Sequence, residues 1–214
     1  MFPEEAKIGF LTNNYFKMIK TICVFCGSSA GKNKLYGLKA VSLGRFFLRH
    51  GYRLVYGGAN VGLMSILADT ILSGGGEVIG VMPKSLVEKE VAHDHLTQMH
   101  IVGDMQERKA LMADLSDAFI ALPGAYGTFD ELFEMLTWNQ LGIITKPVGL
   151  LNINGFFDPL IRMLDHSVDE QFLRPEHRKI LQVEEDEEKL MEKLNAYQPV
   201  IAQKWIERLK EGKI

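Results

Sequence analysis

Six short runs of apolar and β-branched residues alternate along the chain with segments whose apolar residues recur every three or four positions. The runs lie at residues 21–26, 52–56, 77–82, 97–102, 118–122 and 147–151. The helical patterns lie at 34–49, 63–72, 105–115 and 129–141. Parallel strands need long crossover connections, which helices usually supply. The alternation therefore predicts an α/β fold: a doubly wound, Rossmann-like, mostly parallel sheet with helices on both faces.

The chain predicts one domain with a short N-terminal extension. Its 214 residues contain no internal repeat and no Pro-rich or Ser-rich linker. We therefore expect a single Rossmann-like domain over residues 21–214, preceded by an arm of residues 1–20. Residues 184–188 are all acidic and precede an apolar pattern. Because acidic side chains favour helix N-termini, this run predicts the start of a further helix.

Composition and charge exclude several classes of protein. Hydrophobic residues make up 47% and charged residues 24%, which is ordinary for a globular chain and too apolar for a disordered one. The net charge of −3 gives no broad basic field for nucleic acid, so a phosphate ligand would have to be held locally. No apolar run reaches the ~18 residues of a membrane helix, and residues 1–20 lack a secretory pattern. We therefore expect a cytoplasmic protein without a nucleic-acid or membrane partner.

The two cysteines and the closest pair of histidines are weak candidates for chemistry. Cys23 and Cys26 have Cys-x-x-Cys spacing, but they lie in a predicted strand, where residues three apart point to opposite faces. A redox pair would instead open a helix. His93 and His95 lack a third ligand at a definite spacing, so the sequence predicts no metal site.

Three predicted strands end in glycine-rich turns that lead into helices. The turns lie at residues 27–31, 57–62 and 123–128. Ligands of doubly wound sheets bind outside the carboxyl ends of the strands, and glycine lets backbone N–H groups approach an anion at a helix N-terminus. None of the turns is a Walker loop or a G-x-G-x-x-G fingerprint. Together they predict a phosphate-binding edge.

Arg108 interrupts an otherwise apolar helix face formed by Met105, Met112 and Leu115. Two interpretations fit this spacing. The guanidinium either extends from a boundary position into solvent, or it binds a substrate phosphate or a carboxylate near the strand ends.

Glu131 closes a Thr-x-x-Glu pattern that begins at Thr128. This pattern is typical of a capping box, in which the glutamate accepts a hydrogen bond from the Thr128 amide. Alternatively, the carboxylate faces a ligand at the adjoining glycine turn.

The predicted helix at 129–141 carries more apolar residues than one core-facing side requires. Large apolar patches mark association sites, so we expect a homodimer or a higher homo-oligomer.

Four segments resemble the sequence blocks of one known family, and they occur in the family's order. Residues 123–131, Pro-Gly-Ala-Tyr-Gly-Thr-Phe-Asp-Glu, resemble the P-G-G-x-G-T-x-x-E signature of the LOG (Lonely Guy) family, the cytokinin riboside 5'-monophosphate phosphoribohydrolases. Residues 26–29, 57–64 and 105–109 are similar to its other blocks, and the similarity spans about residues 21–195. Ala125 stands where the family usually has a second glycine, which would strain the loop only if φ were positive.

The resemblance implies the roles of particular residues. It makes Arg108 and Glu131 catalytic. It assigns substrate or phosphate binding to a set from all four blocks: Gly27, Ser28, Gly58, Gly62, Met105, Lys109, Gly124, Gly127 and Thr128. It implies neither a cofactor nor a metal.

The reaction implied is cleavage of the N-glycosidic bond of AMP or a cytokinin riboside 5'-monophosphate, giving a free base and ribose 5-phosphate. Glu131 would stabilise an oxocarbenium-like ribosyl cation or activate water, and Arg108 would orient it and keep it ionised. Asp130 is a candidate for protonating the leaving base, although consecutive helix residues diverge by roughly 100°. A nucleotide sensor without turnover is the alternative.

Many relatives carry the label "possible lysine decarboxylase". A decarboxylase of this kind needs pyridoxal phosphate and a lysine that binds it, but Lys84 is the only lysine close behind a strand end and no other residues for that cofactor accompany it.

Overall fold

The computed structural model describes residues 18–87 and 92–200. Within those residues the strands are β1 (Thr21–Phe25), β2 (Arg53–Tyr56), β3 (Val78–Pro83), β4 (Gln98–Val102), β5 (Ala118–Ala121), β6 (Val148–Leu151) and β7 (Leu181–Glu184). The helices are α1 (Lys34–His50), α2 (Gly62–Ser73), α3 (Lys84–Val87), α4 (Met105–Leu115), α5 (Tyr126–Gln140), α6 (Asp158–Asp169), α7 (Pro175–Arg178) and α8 (Glu187–Asn195), with a 3₁₀ turn at Ile153–Gly155.

The strands form one parallel sheet in the order β4-β3-β2-β1-β5-β6-β7. The chain builds outward from β1 to β4, then returns to place β5 on the other side of β1, so Ile22 pairs with both Leu54 and Ala118. The direction of winding therefore changes between β1 and β5. In a sheet of this kind, that change opens a crevice at the carboxyl edge. The predicted doubly wound α/β fold is confirmed.

Two apolar layers cover the sheet, one on each face. Val24 and Cys26 belong to the layer beneath α1, α2 and α8, whereas Cys23 and Phe25 belong to the layer beneath α4, α5 and α6. The two cysteines thus point to opposite faces of the sheet, as the strand alternation predicts, and both are buried.

The predicted strands and helices agree with the structure, but some features differ. β7, α3, α6 and α7 were not predicted; β7 is a half-buried edge strand whose Gln182 and Glu184 weaken the apolar signal. α5 begins at Tyr126, three residues earlier than predicted. The acidic run does start a helix, since Asp186 caps α8 by accepting hydrogen bonds from the Glu188 and Lys189 amides at 3.0 Å.

Part of the predicted domain organisation lies outside the described residues, namely 1–17 of the arm and 201–214 of the domain. The end of the predicted arm contacts the domain: Ile19 is buried in the α1 layer, and the Lys20 amide donates to Asp117 Oδ2 at 3.0 Å. In the described part of the chain, no helix combines the length and the apolar character that crossing a membrane requires.

Candidate active site

The three glycine-rich turns meet at the carboxyl edge of the sheet. The Gly27 amide donates to the Pro123 carbonyl at 3.0 Å, and the Gly27 carbonyl accepts from the Leu63 amide at 3.0 Å. The turn after β1 is therefore hydrogen-bonded to the turn after β5 and to the start of α2, which directly follows the turn after β2. The edge at which the sequence predicts a phosphate site is assembled from all three turns.

Two glycines in these turns are required by close approach. Gly62 has φ +59°, and a Cβ there would overlap the backbone of Ser28 and Ser29. A Cβ at Gly57 would overlap the guanidinium of Arg108. These positions let the β2 turn contact the β1 turn on one side and the Arg108 side chain on the other.

Ala125 causes no strain in the signature loop. It precedes α5 with φ −120° and ψ −149°, which any L-residue can adopt. The departure from the family's usual glycine therefore leaves the local backbone unperturbed.

A cavity of about 220 Å³ lies where the winding of the sheet changes direction. Residues 27–31 and 123–125 form much of its wall, and Leu63 and the edge-to-face pair Tyr36 and Phe156 complete it. Three of the predicted binding residues, Gly27, Ser28 and Gly124, line this cavity. Arg108 and Glu131, the predicted catalytic pair, are not among the residues that line it.

Arg108 is buried, and its guanidinium has two protein partners. Asp104 caps α4 and so sets the helix start from which Arg108 reaches toward the sheet. Nε donates to the Val81 carbonyl at 3.0 Å, and Nη1 donates to Glu131 Oε1 at 2.6 Å. Arg108 is only 8% exposed, so of the two interpretations the one with a carboxylate partner holds.

The capping-box interpretation of Glu131 is wrong. Because α5 begins at Tyr126 after Ala125, Thr128 lies within the first helical turn and cannot be the N-cap. Glu131 is also 8% exposed, and its carboxylate extends to Arg108 instead of returning to the Thr128 amide. Thr-x-x-Glu therefore matches the capping pattern only in its spacing.

Burial raises the pKa of Glu131 above that of an ordinary glutamate, and the positive charge of Arg108 partly offsets this effect. The carboxylate is thus partly desolvated and oriented by a single guanidinium. A group of this kind can stabilise a developing positive charge more strongly than a solvated carboxylate can.

Lys109 follows Arg108 and makes a second ionic contact with α5. Its Nζ lies 3.0 Å from Asp130 Oδ2 and 3.2 Å from Glu134 Oε2, and its side chain is 10% exposed. Asp130, a candidate proton donor, is therefore paired with a lysine. Sequence reasoning missed this cluster; the available signal was the i, i+4 spacing of Asp130 and Glu134.

Other predicted binding residues lie in the first turns of α4 and α5 and in the turn after β2. Thr128 is buried and Gly127 exposed in the first turn of α5, whereas Met105 is half exposed at the start of α4. Gly58 has φ +77°, and its carbonyl accepts from the His93 amide at 2.9 Å.

His93 and His95 make structural contacts, and both cysteines are buried. His93 Nε2 lies 3.0 Å from Asp69 Oδ1, and its Nδ1 accepts from the His95 amide at 3.2 Å. Burial raises the pKa of both cysteine thiols, which keeps them in the unreactive protonated form. Among residues 18–87 and 92–200, no three His, Cys, Asp or Glu side chains are grouped to hold a metal ion.

Comparison with known proteins shows which proteins are similar to this chain in sequence and which solved structures share its fold. The family model described as "possible lysine decarboxylase" matches residues 64–194. A probable cytokinin riboside 5'-monophosphate phosphoribohydrolase of Oryza sativa subsp. japonica, LOGL2, is 42% identical over 226 residues, covering 98% of this chain and 91% of the relative. The cytokinin riboside 5'-monophosphate phosphoribohydrolase LOG5 of Arabidopsis thaliana is 44% identical over 181 residues, covering 85% of this chain and 79% of the relative.

Solved structures with the same fold include a molybdenum cofactor binding protein from Rippkaea orientalis, with a TM-score of 0.62 and 22% identity, covering 84% of this chain and 98% of that one. The molybdenum cofactor carrier protein of Chlamydomonas reinhardtii gives the same TM-score and identity, covering 84% of this chain and 100% of that one. At this identity the likeness shows the shared α/β fold alone.

Proposed function

The chain belongs to the LOG family of cytokinin riboside 5'-monophosphate phosphoribohydrolases, and from that premise we propose that Arg108 and Glu131 are its catalytic pair. As a member it is a nucleoside 5'-monophosphate phosphoribohydrolase: it hydrolyses the N-glycosidic bond and releases a base and ribose 5-phosphate. The observation that carries the proposal is the buried Arg108–Glu131 pair, joined at 2.6 Å beside three interlocked glycine turns.

Glu131 would act at the anomeric carbon. Cleavage of a glycosidic bond passes through an oxocarbenium-like transition state, and a nearby carboxylate stabilises that charge or activates the attacking water. Arg108 holds one carboxylate oxygen of Glu131, which leaves the other oxygen for the substrate. The positive charge of Arg108 favours the ionised form of Glu131, which this role requires in a largely buried position.

The glycine turns would hold the rest of the nucleotide. In this proposal, Gly124, Gly127 and Thr128 bind the 5'-phosphate at the positive end of α5. Gly27 and Ser28 face the sugar or base, while Gly58 and Gly62 form the floor of the site. Met105, half exposed at the start of α4, would contact the substrate beside Arg108.

AMP and cytokinin riboside 5'-monophosphates are the proposed substrates. Both present a 5'-phosphate, a ribose and an adenine-type leaving group, and they differ in the substituent on the base. Parallel kcat/KM measurements with AMP and its N6-isopentenyl derivative would give the preference.

Decarboxylation of lysine has no support in the site. A pyridoxal phosphate enzyme needs a lysine to form a Schiff base and a partner for the pyridinium nitrogen. Lys84, the candidate in the sequence, is exposed at the start of α3. The description of the matching family model therefore does not extend to the mechanism proposed here.

The decisive experiment is the Glu131→Gln variant, which keeps the shape of the side chain and removes its charge. We expect the release of adenine from AMP, measured by chromatography, to fall by about 10² or more, since one electrostatic or general-base contribution is lost. Glu187→Gln is the matched control, because Glu187 is a similarly buried glutamate on the opposite face of the sheet, where it pairs with Lys39.

Full activity in the folded Glu131→Gln variant would refute the catalytic role. If the wild-type protein binds AMP but releases no adenine, the same assay favours a nucleotide sensor.

A further inference from the structure

The contact between α4 and α5 contains five charged side chains. Arg108 binds Glu131, and Lys109, the next residue of α4, lies between Asp130 and Glu134 of α5. Asp130 is adjacent to Glu131 in the sequence, and Glu134 lies about one helical turn further on. Two cations of one helix thus face three carboxylates of the other.

We infer that Lys109 is a positioning residue for Glu131: its ammonium joins α4 to α5 through Asp130 and Glu134 and balances their charges beside the Glu131 carboxylate. This inference rests on the proposed function only in assigning the chemistry to Glu131. It gives Lys109 a role different from that of a phosphate ligand.

The geometry opposes a direct contact between Lys109 and the substrate phosphate. The ammonium donates a hydrogen bond to Asp130 Oδ2 at 3.0 Å and forms an ion pair with Glu134 Oε2 at 3.2 Å, and the side chain is 10% exposed. A phosphate at Nζ would also approach the carboxylates of Asp130 and Glu134, which carry the same sign of charge as the phosphate. The Lys109 ammonium therefore binds carboxylates of α5 and not the substrate phosphate.

Two neighbouring bridges fix α5 better than one. Leu132 and Met135 already pack α5 against the sheet, so a second contact from the next residue of α4 acts on the small remaining displacements of the Glu131 side chain. Since a small displacement of a reacting group lowers the rate strongly, the second bridge affects turnover more than binding.

The charges that act on Glu131 agree with this role. Burial and the charge of Asp130 raise the pKa of Glu131, whereas Arg108 and Lys109 lower it. The thiol of Cys23, on the α5 face of the sheet, and that of Cys26, on the other face, also interact electrostatically with Glu131, and burial keeps both protonated. Without Lys109, one cation would face three carboxylates, and Glu131 would bind a proton more readily.

The test compares Lys109→Met with the triple variant Lys109→Met/Asp130→Asn/Glu134→Gln, using AMP as substrate. In the single variant we expect kcat to fall by about 10-fold or more, the KM for AMP to change by less than about 3-fold, and the acid limb of kcat/KM to move to higher pH. In the triple variant only Arg108 and Glu131 remain charged, so one cation again faces one carboxylate. The acid limb of its kcat/KM profile should therefore return toward the wild-type position. Lys109→Arg, which keeps the charge, should retain most of the activity.

A phosphate ligand would give the opposite pattern. The KM for AMP would rise by about 10-fold or more in Lys109→Met, with kcat preserved, and the triple variant would recover nothing. That result would overturn the inference. Lys39→Met is the control, because Lys39, although more exposed than Lys109, is also paired with a buried glutamate, on the other face of the sheet; it should leave the pH profile in place.

A readout without turnover separates this inference from the proposed function. A ¹³C-carboxyl NMR titration of Glu131 should show a higher midpoint in Lys109→Met than in the wild-type protein, whether or not AMP is hydrolysed. An unchanged midpoint would overturn the inference even in an active enzyme, whereas a shifted midpoint in a protein that hydrolyses no nucleotide would refute the proposed function alone.

Discussion

Arg108 and Glu131 are both largely removed from water, and each replaces part of the hydration that the other has lost. A buried ion pair of this kind adds little net stability, but losing one partner leaves an uncompensated charge in a poorly solvated position. The pair is therefore better explained by the proposed role of Glu131 than by stabilisation of the fold. At the scale of single residues, this coupling makes both activity and stability depend on pH.

The first prediction concerns the pH dependence of the wild-type enzyme. Because burial raises the pKa of Glu131 and the proposed mechanism needs its carboxylate, activity should be lost on acidification through a midpoint above the ordinary glutamate value of about 4.3. A pH profile of kcat/KM for AMP measures this midpoint. A limb at or below the ordinary value would contradict the assignment.

The second prediction concerns Arg108→Met. Removing the guanidinium leaves Glu131 buried without a cation, which we expect to lower the free energy of unfolding by about 3–5 kcal/mol near neutral pH. The folded-state pKa of Glu131 then rises further above its unfolded value. The variant's stability relative to wild type is therefore highest at low pH and is lost as pH rises through the folded-state pKa.

Thermal unfolding of both proteins at several pH values measures this difference. A difference that does not grow between acid and neutral pH would show that Glu131 is not the group left unpaired.

At the scale of the elements, the strands and most helices could be predicted because their signal is local. Strand runs and helical periods place β1 to β6, α1, α2 and α4 within one or two residues of their observed bounds. β7 was missed because an edge strand with one buried face carries polar residues. The start of α5 was misplaced because a capping pattern was read at Thr128.

Some features of the candidate site could likewise be predicted from the sequence, and others could not. The glycine turns are visible in the sequence, because each follows a strand and precedes a helix. The contact between Arg108 and Glu131 and the bridge from Lys109 to Asp130 depend on how α4 and α5 lie against each other. Spacing within one helix left the partner of Arg108 open and gave no sign of the partners of Lys109.

The third prediction tests the interlocked turns with Gly62→Ala. Alanine at φ +59° is strained by about 1–3 kcal/mol, and its Cβ would also displace the backbone of the β1 turn. We expect a loss of stability together with a loss of AMP hydrolysis. Gly75→Ala is the matched control, since Gly75 has φ +79° with open space around it and should show the strain alone.

If both alanine variants lose the same stability and keep the same activity, contact between the β1 and β2 turns contributes neither to the free energy of unfolding nor to AMP hydrolysis. Denaturant unfolding and chromatographic assay of adenine give the two readouts.

At the scale of the whole molecule, the sheet brings distant segments to one edge and leaves apolar residues on the surface elsewhere. Leu141 and Ile143 are 46% and 63% exposed just after α5, and Phe133 and Leu136 of α5 are only half buried. These residues continue the apolar pattern from which the sequence predicts self-association.

The fourth prediction is that the protein forms a homodimer through this surface. Sedimentation velocity should give a dimer at micromolar concentration, and Ile143→Glu should shift it toward the monomer, because a charge would be buried at the contact. A wild-type protein that remains monomeric over the accessible concentrations would contradict the prediction.

Gly27 is hydrogen-bonded to Pro123 on one side and to Leu63 on the other. It therefore joins segments that are far apart in the sequence. The mouth of the site can close only after β5 has been inserted beside β1, which is a non-local event that contact-order arguments make slow. The first four strands by themselves therefore form no complete nucleotide pocket. During refolding, the return of AMP binding should lag behind the return of helical circular dichroism, and this delay would time the insertion of β5.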